Sequence, residues 1–542
     1  MPSSKIYIFD GIALTPDEPC DKATAIVAKR LRGAGIPHSE FKLEIFKRSV
    51  DARKKSEIKL VYSVRACFED GGDKYEAKLL RLGARSMTVE SLEFEYGTQR
   101  MSGRPLVVGM GPAGMFCALM LAENGYKPII IDRGDSVYER VESLSRFYSD
   151  HVLDTESNIQ FGAGGAGTFS DGKLLTRIND PKCSYVLETF KKFGAPEDVT
   201  VKAKPHIGTD ILRVVVDNIL RRIEELGGEV IYRCRLDAIE EKSDGGVVAH
   251  TTRGDIECGV AVLALGHSAR DTYLSLIKGG FSIVPKPISV GVRIEHRRSD
   301  IESALYGELA GHKALGAAEY ALSDTKGERG VYTFCMCPGG EVVAAASEEG
   351  GVVVNGMSSY ARDGVNSNCA VAVSVRVEDF CAVDGNLALG AIEFQRKIER
   401  AAFSVGGGNY TVPVQTVGDF MNGTTGAEPS RVMPTYMGGE NFKVASVDDV
   451  LPDFVCRSLK YGLNSFDKKI RGFASDTALL SAPETRTSAP VRILRGENMS
   501  ALGRENIYPC GEGAGYAGGI TSAAVDGVKV AMAVMKKYRP LD

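Results

Sequence analysis

Hydrophobic positions along this chain follow two patterns. Over the first hundred residues they are short runs mixed with polar residues. Beyond residue 104 they become continuous apolar runs that end at glycines. In the first region, residues 6–14, 41–46, 58–67 and 87–94 predict strands, and 21–31 and 74–82 predict helices. That order, βαββαβ, is the ferredoxin-like split motif, assigned here to residues 1–96. Between its central strands Lys47, Arg48, Arg53, Lys54 and Lys55 make a basic stretch. It reads either as a solvated hairpin loop or as a docking or anion-binding patch. Residues 97–104 are the linker.

The continuous pattern begins at 105 with PLVVGMGPAGMFCALMLAENGYKPIIIDRG. Residues 106–108 read as a buried parallel strand, 115–124 as an apolar helix and 129–131 as a second strand. Between strand and helix, Gly109, Gly111 and Gly114, with Pro112 and Ala113 among them, fill G-x-G-x-x-G. The first glycine permits the tight turn, the second lets backbone approach a pyrophosphate, and the third lets helix and strand pack closely. Asp132, followed by Arg133, ends the second strand, where an acid can accept both hydroxyls of an adenosine ribose. The complete unit predicts dinucleotide binding. An amphipathic helix follows over 211–226, then strands over 229–232, 236–240 and 247–252. A further buried strand, 259–266, ends at Gly266. From 286 to 484 the pattern changes: strand-like runs at 288–294, 330–337 and 341–346 alternate with helical and glycine-rich segments. A strand and helix of the earlier type return after 506. The expected fold class is α/β, a Rossmann-like domain in two parts (104–285 and 485–542) carrying a large inserted α+β domain (286–484), with the ferredoxin-like domain in front.

Composition narrows the function classes. A chain of 542 residues is too long for one core. A net charge of −4 gives no global attraction to nucleic acid or anionic membrane. Twelve cysteines without C-x-x-C pairs argue against a zinc site or a disulfide framework, so no metal is expected and the thiols read as reduced. The apolar stretch 106–121 is interrupted by three glycines and a proline, and the N-terminus has no long apolar region. The expectation is a soluble cytoplasmic protein with no membrane partner.

Three separated segments converge on one cofactor: 109–132, the strand ending at Gly266, and Tyr508-Pro509-Cys510-Gly511-Glu512-Gly513. In this order the chain resembles the glutathione-reductase-type FAD flavoproteins. The resemblance implies that Asp132 binds the adenosine ribose, that Gly511 and Glu512 lie beside the pyrophosphate and ribitol, and that Leu236 flanks the adenine. The family more often has Gly-Asp where this chain has Gly511-Glu512, which puts the reach of the acid in question. The helix after Gly518, Gly519 and Ile520 points its N-terminus where a reduced flavin carries negative charge. A fourth glycine-rich run, FGAGGAGTFSDGK over 161–173, lacks a preceding apolar strand. Its Gly165, Ala166, Gly167 and Thr168 are expected against the cofactor, and Lys173 against phosphate or substrate.

More closely, the segments FGAGGAGTFSDGKL, TFCMCPGGEVVAAASE, ETRTSAPVR and GEGAGYAGGI are similar to those of the bacterial FAD-dependent dehydrogenases with a ferredoxin-like N-terminal domain. That resemblance spans nearly the full length and implies non-covalent FAD and an oxidoreductase, without a substrate. Within the insert, Cys335 and Cys337 read either as buried reduced thiols or as a redox pair near the flavin. Arg486 and Arg492 read either as a clamp for an anionic substrate or as parts of a salt-bridged return strand. His206 and His267 read as packing or surface residues rather than general bases.

The leading expectation is an FAD-dependent dehydrogenase moving a hydride between an organic substrate, or transiently bound NAD(P)H, and flavin, with a redox partner taking the electrons on. A flavin-dependent RNA-modifying or RNA-binding protein is the runner-up, resting on the basic stretch; net acidity speaks against nucleic acid as a partner. A non-catalytic flavin scaffold is the third.

Overall fold

The structure is a computed structural model that describes residues 4–68, 71–89 and 92–541. Its N-terminal sheet is antiparallel, in the order Phe41–Asp51, Lys59–Phe68, Ser4–Leu14, Ala84–Val89. Helices Asp21–Gly33 and Glu76–Arg81 bury Val27, Leu31 and Leu79 against Tyr7, Phe9, Tyr62 and Val64. This is the split βαβ arrangement. The last strand starts earlier than its apolar run suggests, and residues 90–91 of the expected span lie outside those described.

The basic stretch is not a free loop. The strand Phe41–Asp51 runs through Lys47 and Arg48. The Arg48 N–H donates to the Val201 carbonyl at 2.9 Å, the Ala203 N–H donates back to the Arg48 carbonyl at 2.8 Å, and the Arg48 guanidinium caps the Ala314 carbonyl. Arg53 is held by Asp51. Arg48 thus ties the small domain to the rest of the chain, while Arg53, Lys54 and Lys55 are exposed in the connection between the strands, as the solvated reading has it.

Five parallel strands form the nucleotide sheet, in the order Ile507–Pro509, Val260–Leu263, Pro105–Val108, Ile129–Ile131, Glu229–Ile231. Helices Pro112–Glu123, Lys182–Lys192, Thr209–Glu225 and Ile520–Lys537 share one core with it. The three-stranded meander Leu236–Glu241, Val247–Thr251, Gly254–Cys258 joins the helix Arg270–Lys278 in another. Helix Pro112–Glu123 is buried from Ala113 to Ala122, which explains why its sequence is apolar all round. The α/β class and Rossmann-like sheet expected from the sequence are therefore present.

The chain leaves this domain through Ile283–Pro285 and returns through Val491–Ile493, two strands that pair with each other. Between them lies a mixed seven-stranded sheet, in the order Ser323–Asp324, Val331–Cys337, Asn366–Val375, Ile288–Arg297, Leu479–Glu484, Val412–Thr416, Phe442–Val444. Its central strand, Ile288–Arg297, is buried from Ile288 to His296, so side chains of both faces are covered. No helix among the described residues is long and apolar enough to cross a membrane.

Candidate functional site

A cleft of about 310 Å³ opens at the C-terminal ends of the parallel strands, between the nucleotide sheet and the insert. This is where open α/β sheets bind their ligands. The fingerprint supplies one wall through Gly109, Gly111, Pro112, Ala113, Asp132 and Arg133. Gly165, Ala166, Gly167 and Lys173 come from the glycine-rich loop. Leu236, Gly266, Glu512, Gly518, Gly519 and Ile520 complete that side, and Arg486 faces in from the return segment.

The three fingerprint glycines differ in what requires them. Gly109 has φ +103°, and an added Cβ would collide with the Ala264 carbonyl. A Cβ on Gly114 would collide with the Gly109 carbonyl. Gly111 is different. Its backbone is ordinary extended chain, φ −70° and ψ 178°, and an added Cβ would meet nothing nearer than the Gly165 Cα at 4.0 Å. At Gly266, Gly518 and Gly519 a Cβ would meet no protein atom within 4 Å. Protein packing accounts for Gly109 and Gly114 and not for Gly111, which borders open space at a helix N-terminus. That space fits a pyrophosphate, so the residues present suit a dinucleotide.

Four of the expected site residues stand behind the wall instead of on it. Gly114 sits under the turn. Thr168 is fully buried, donating to the Ala163 carbonyl at 3.2 Å and accepting at its own carbonyl from Thr209 Oγ1 at 2.7 Å. Gly511 has φ +74°, and its N–H donates to Asp526 at 2.7 Å; it orients Glu512 without facing the cleft. Arg492 is the clear correction. The pairing of Val491–Ile493 with Ile283–Pro285 turns its guanidinium onto the Gly515 carbonyl, at 3.1 Å, and over the Tyr516 ring. It is placed as a structural residue of the neck, outside the cleft.

Asp132 lines the cleft, but its carboxylate already accepts three backbone N–H bonds, from Met110 at 2.8 Å and from Gly134 and Gly162 at 2.9 Å each. One of its roughly four acceptor positions remains. It therefore pins the glycine turn to the 161–167 loop. Arg133 is held by Glu156 and Asp271 and lies over the Phe161 ring.

Arg486 is buried. Its Nε and Nη2 donate to Glu399 at 3.2 and 3.0 Å, and Nη1 donates to Ser347. Glu399 also receives Arg270 at 2.7 Å and Thr485 at 2.6 Å. The salt-bridged reading thus describes Arg486 as well, although it stands at the cleft edge. Lys173 is held by Asp171 at 2.5 Å; burial works against its charge, but Asp171 and Glu319 outweigh it and keep its pKa above the ordinary value. Asp171 also binds Arg362 and Ser358, which ties the glycine-rich loop to the insert.

Several residues at the site carry little sequence signal. Arg140 is fully buried and shapes the loop by donating to the carbonyls of Asn158, Ala163 and Gly165. His267 lines the cleft; burial, with Arg486 and Arg270 nearby, pushes it down to about 3, so it is a neutral ring. His206 stacks on Tyr360 and is pushed down to about 4 by burial. Cys335 also lines the cleft, brought there by the insert.

Glu512 is pushed up to about 7 by burial, with Lys286 opposing. Among the described residues its carboxyl takes no protein hydrogen bond. Its proton is therefore retained on folding across the interval from 4.5 to about 7. In flavin-stripped protein, wild type is expected to lose stability relative to Glu512→Gln as pH rises through that interval, and to run parallel to it outside. Thermal melts of both proteins across pH check this. Parallel curves throughout would mean Glu512 titrates normally.

Against this geometry, residues 287–487 match the family described as FAD-dependent protein, C-terminal domain-like, and residues 11–67 match a domain of unknown function. An uncharacterised protein of Clostridium beijerinckii is 47% identical over 504 residues, which is 92% of this chain and 93% of that protein. The chain belongs to the family of that protein. Protein FixC of Escherichia coli K12 is 27% identical over 234 residues, 42% of this chain, which spans half of FixC. Among solved structures, glycine oxidase from Geobacillus kaustophilus is similar over 83% of this chain and 97% of its own, with 10% identity and a TM-score of 0.33. CtdE in complex with FAD is similar over 80% and 84%, with 10% identity and a TM-score of 0.32. The fold assignment stands on the strand order and not on these scores.

Proposed function

We propose that this protein is an FAD-dependent oxidoreductase that holds FAD non-covalently in the cleft. The reaction would move a hydride between flavin and a small organic substrate, or transiently bound NAD(P)H, in the cytoplasm. The supporting observation is Gly111: it caps a helix N-terminus, and the place a side chain would take there is open space facing the cleft. The family match of the insert to FAD-dependent proteins chooses FAD among dinucleotides. Bound there, FAD would supply two-electron chemistry that side chains lack.

The chain's own residues would do the rest. The N–H groups of Ala113 and Gly114 at the helix start would hold the pyrophosphate. Asp132, Arg133 and Leu236 would border the adenosine end. Glu512 and the N-terminus of Ile520–Lys537 would border the flavin end, where the helix dipole favours negative charge. Lys173, paired with Asp171, and Arg486, paired with Glu399, would border the substrate side as fixed polar groups. His267, as a neutral ring, could orient a substrate without abstracting a proton at neutral pH. Electrons would pass on to a redox partner.

Purified protein is expected to be yellow and to release FAD into the supernatant on acid precipitation. Folded, colourless protein that cannot be reconstituted with FAD would refute the proposal.

A further inference from the structure

Cys335 and Cys337 sit where the strand Val331–Cys337 breaks register. Phe334 pairs with Ala370 and Cys337 with Asn368, so three steps on one strand face two on the other. The extra residue forms a β-bulge, a device that re-aims side chains beside active sites. Cys335 takes the left-handed backbone, φ +44°, which a non-glycine residue holds only under constraint. Simple alternation would put both thiols on one face. The bulge instead brings Cys335 to the cleft while Cys337 stays fully buried behind it, its thiol donating to the Cys335 carbonyl at 3.4 Å.

The groups around the pair favour a thiolate on the cleft side. Arg293, itself fully buried, donates from Nη1 to the Cys335 carbonyl at 3.0 Å and toward Cys337 Sγ at 3.8 Å. Its other contacts are Glu484 at 2.9 Å, Asn368 at 2.8 Å and Asn355 at 3.1 Å. A Cβ on Gly356 would collide with this guanidinium, so the seat is made to measure. Lys173 adds positive charge, while Glu484 and Glu512 oppose. The outcome is that the Cys337 hydrogen bond, against burial and with Arg293 and Lys173, holds Cys335 at about 6, whereas Cys337 is pushed well above the usual thiol range by its bond to Cys335 and by burial.

The geometry points to Cys335 and Cys337 as a reactive dithiol on the cleft wall, with Cys335 the attacking sulfur and Cys337 its resolving partner, that exchanges with a low-molecular-weight disulfide. The Cys335 thiolate attacks one sulfur of R–S–S–R. A Cys335–S–R bond forms and RS⁻ leaves, taking a proton from water. Cys337 then gives up its proton and attacks the Cys335 sulfur, expelling the second RS⁻. The protein dithiol is oxidised by two electrons to a disulfide, and R–S–S–R is reduced to two thiols.

The test uses purified full-length protein and reads individual peptides by mass spectrometry. It does not require flavin, so its failure and the failure of FAD binding are separate results. At pH 6.5, iodoacetamide should label Cys335 at least ~10-fold faster than the exposed Cys20 and Cys381, because only a low-pKa thiol is ionised there. Cys337→Ser should shift that labelling toward higher pH. With oxidised glutathione, wild type should lose two hydrogens across Cys335 and Cys337 and keep no adduct. Cys337→Ser should retain one glutathione on Cys335, and Cys335→Ser should do neither. Labelling of Cys335 no faster than of Cys20 and Cys381, or no trapped adduct in Cys337→Ser, overturns the proposal.

Discussion

Gly111→Val is expected to yield folded protein that no longer retains FAD. The backbone at Gly111 is already in a region valine prefers, and the new Cβ would clear the protein by 4.0 Å. The cost to folding should stay near ~1 kcal/mol, mostly the loss of a good helix N-cap. The branched side chain would instead fill the space in front of the N–H groups of Ala113 and Gly114. Losing two hydrogen bonds to a charged phosphate removes roughly 3 kcal/mol or more. That weakens binding by at least ~100-fold. Flavin absorbance per chain after gel filtration, beside a thermal melt, separates the two effects. Gly114→Ala is the contrast, because its Cβ meets the Gly109 carbonyl and should disturb folding itself. Full flavin occupancy in folded Gly111→Val would show that the phosphates lie elsewhere.

The second large effect is expected at Glu399. This buried carboxylate joins three parts of the molecule: its own helix Leu387–Gly406 in the insert, Arg270 at the start of Arg270–Lys278, and Arg486 on the return segment. Burial argues against its charge, but Arg270 and Arg486 outweigh that and hold it far below the ordinary carboxylate range. Glu399→Ala would leave two buried guanidinium groups short of a partner. Arg270 would keep Glu348 and Gln395; Arg486 would keep only Ser347. Breaking such a pair from one side costs about 3–5 kcal/mol. Glu399→Gln should cost less, since its amide oxygen still accepts. Denaturant midpoints at pH 7 measure both, and a loss under ~1 kcal/mol in Glu399→Ala would mean the network is dispensable.

What was legible in the sequence was mostly local. The fingerprint unit lies within thirty consecutive residues, and its geometry follows from glycine sterics and apolar runs. The βαββαβ order of the small domain and the parallel sheet could likewise be read from periodicity. Contacts made at long range could not. Arg486 and Arg492 are six residues apart and chemically alike; only the pairing of Val491–Ile493 with Ile283–Pro285 sends them to different places. Cys335 reaches the cleft because a bulge interrupts one strand, and a bulge leaves no mark in hydrophobic alternation. Asp132 illustrates a third case. The acid was evident, but the loop N–H groups it accepts come from residue 162, thirty positions away.

The split of the nucleotide domain also dictates the order in which a ribosome can finish this molecule. All seven strands of the insert's large sheet have been synthesised once residue 484 is made. The nucleotide sheet must wait for Ile507–Pro509 at its edge and for the helix Ile520–Lys537, whose Gly527 sits directly against Ala113. Until then the apolar helix Pro112–Glu123 lacks its cover, although it was synthesised some four hundred residues earlier. The nascent chain therefore carries an exposed apolar surface through most of its synthesis, and premature termination before residue 507 would leave that surface permanently open to aggregation.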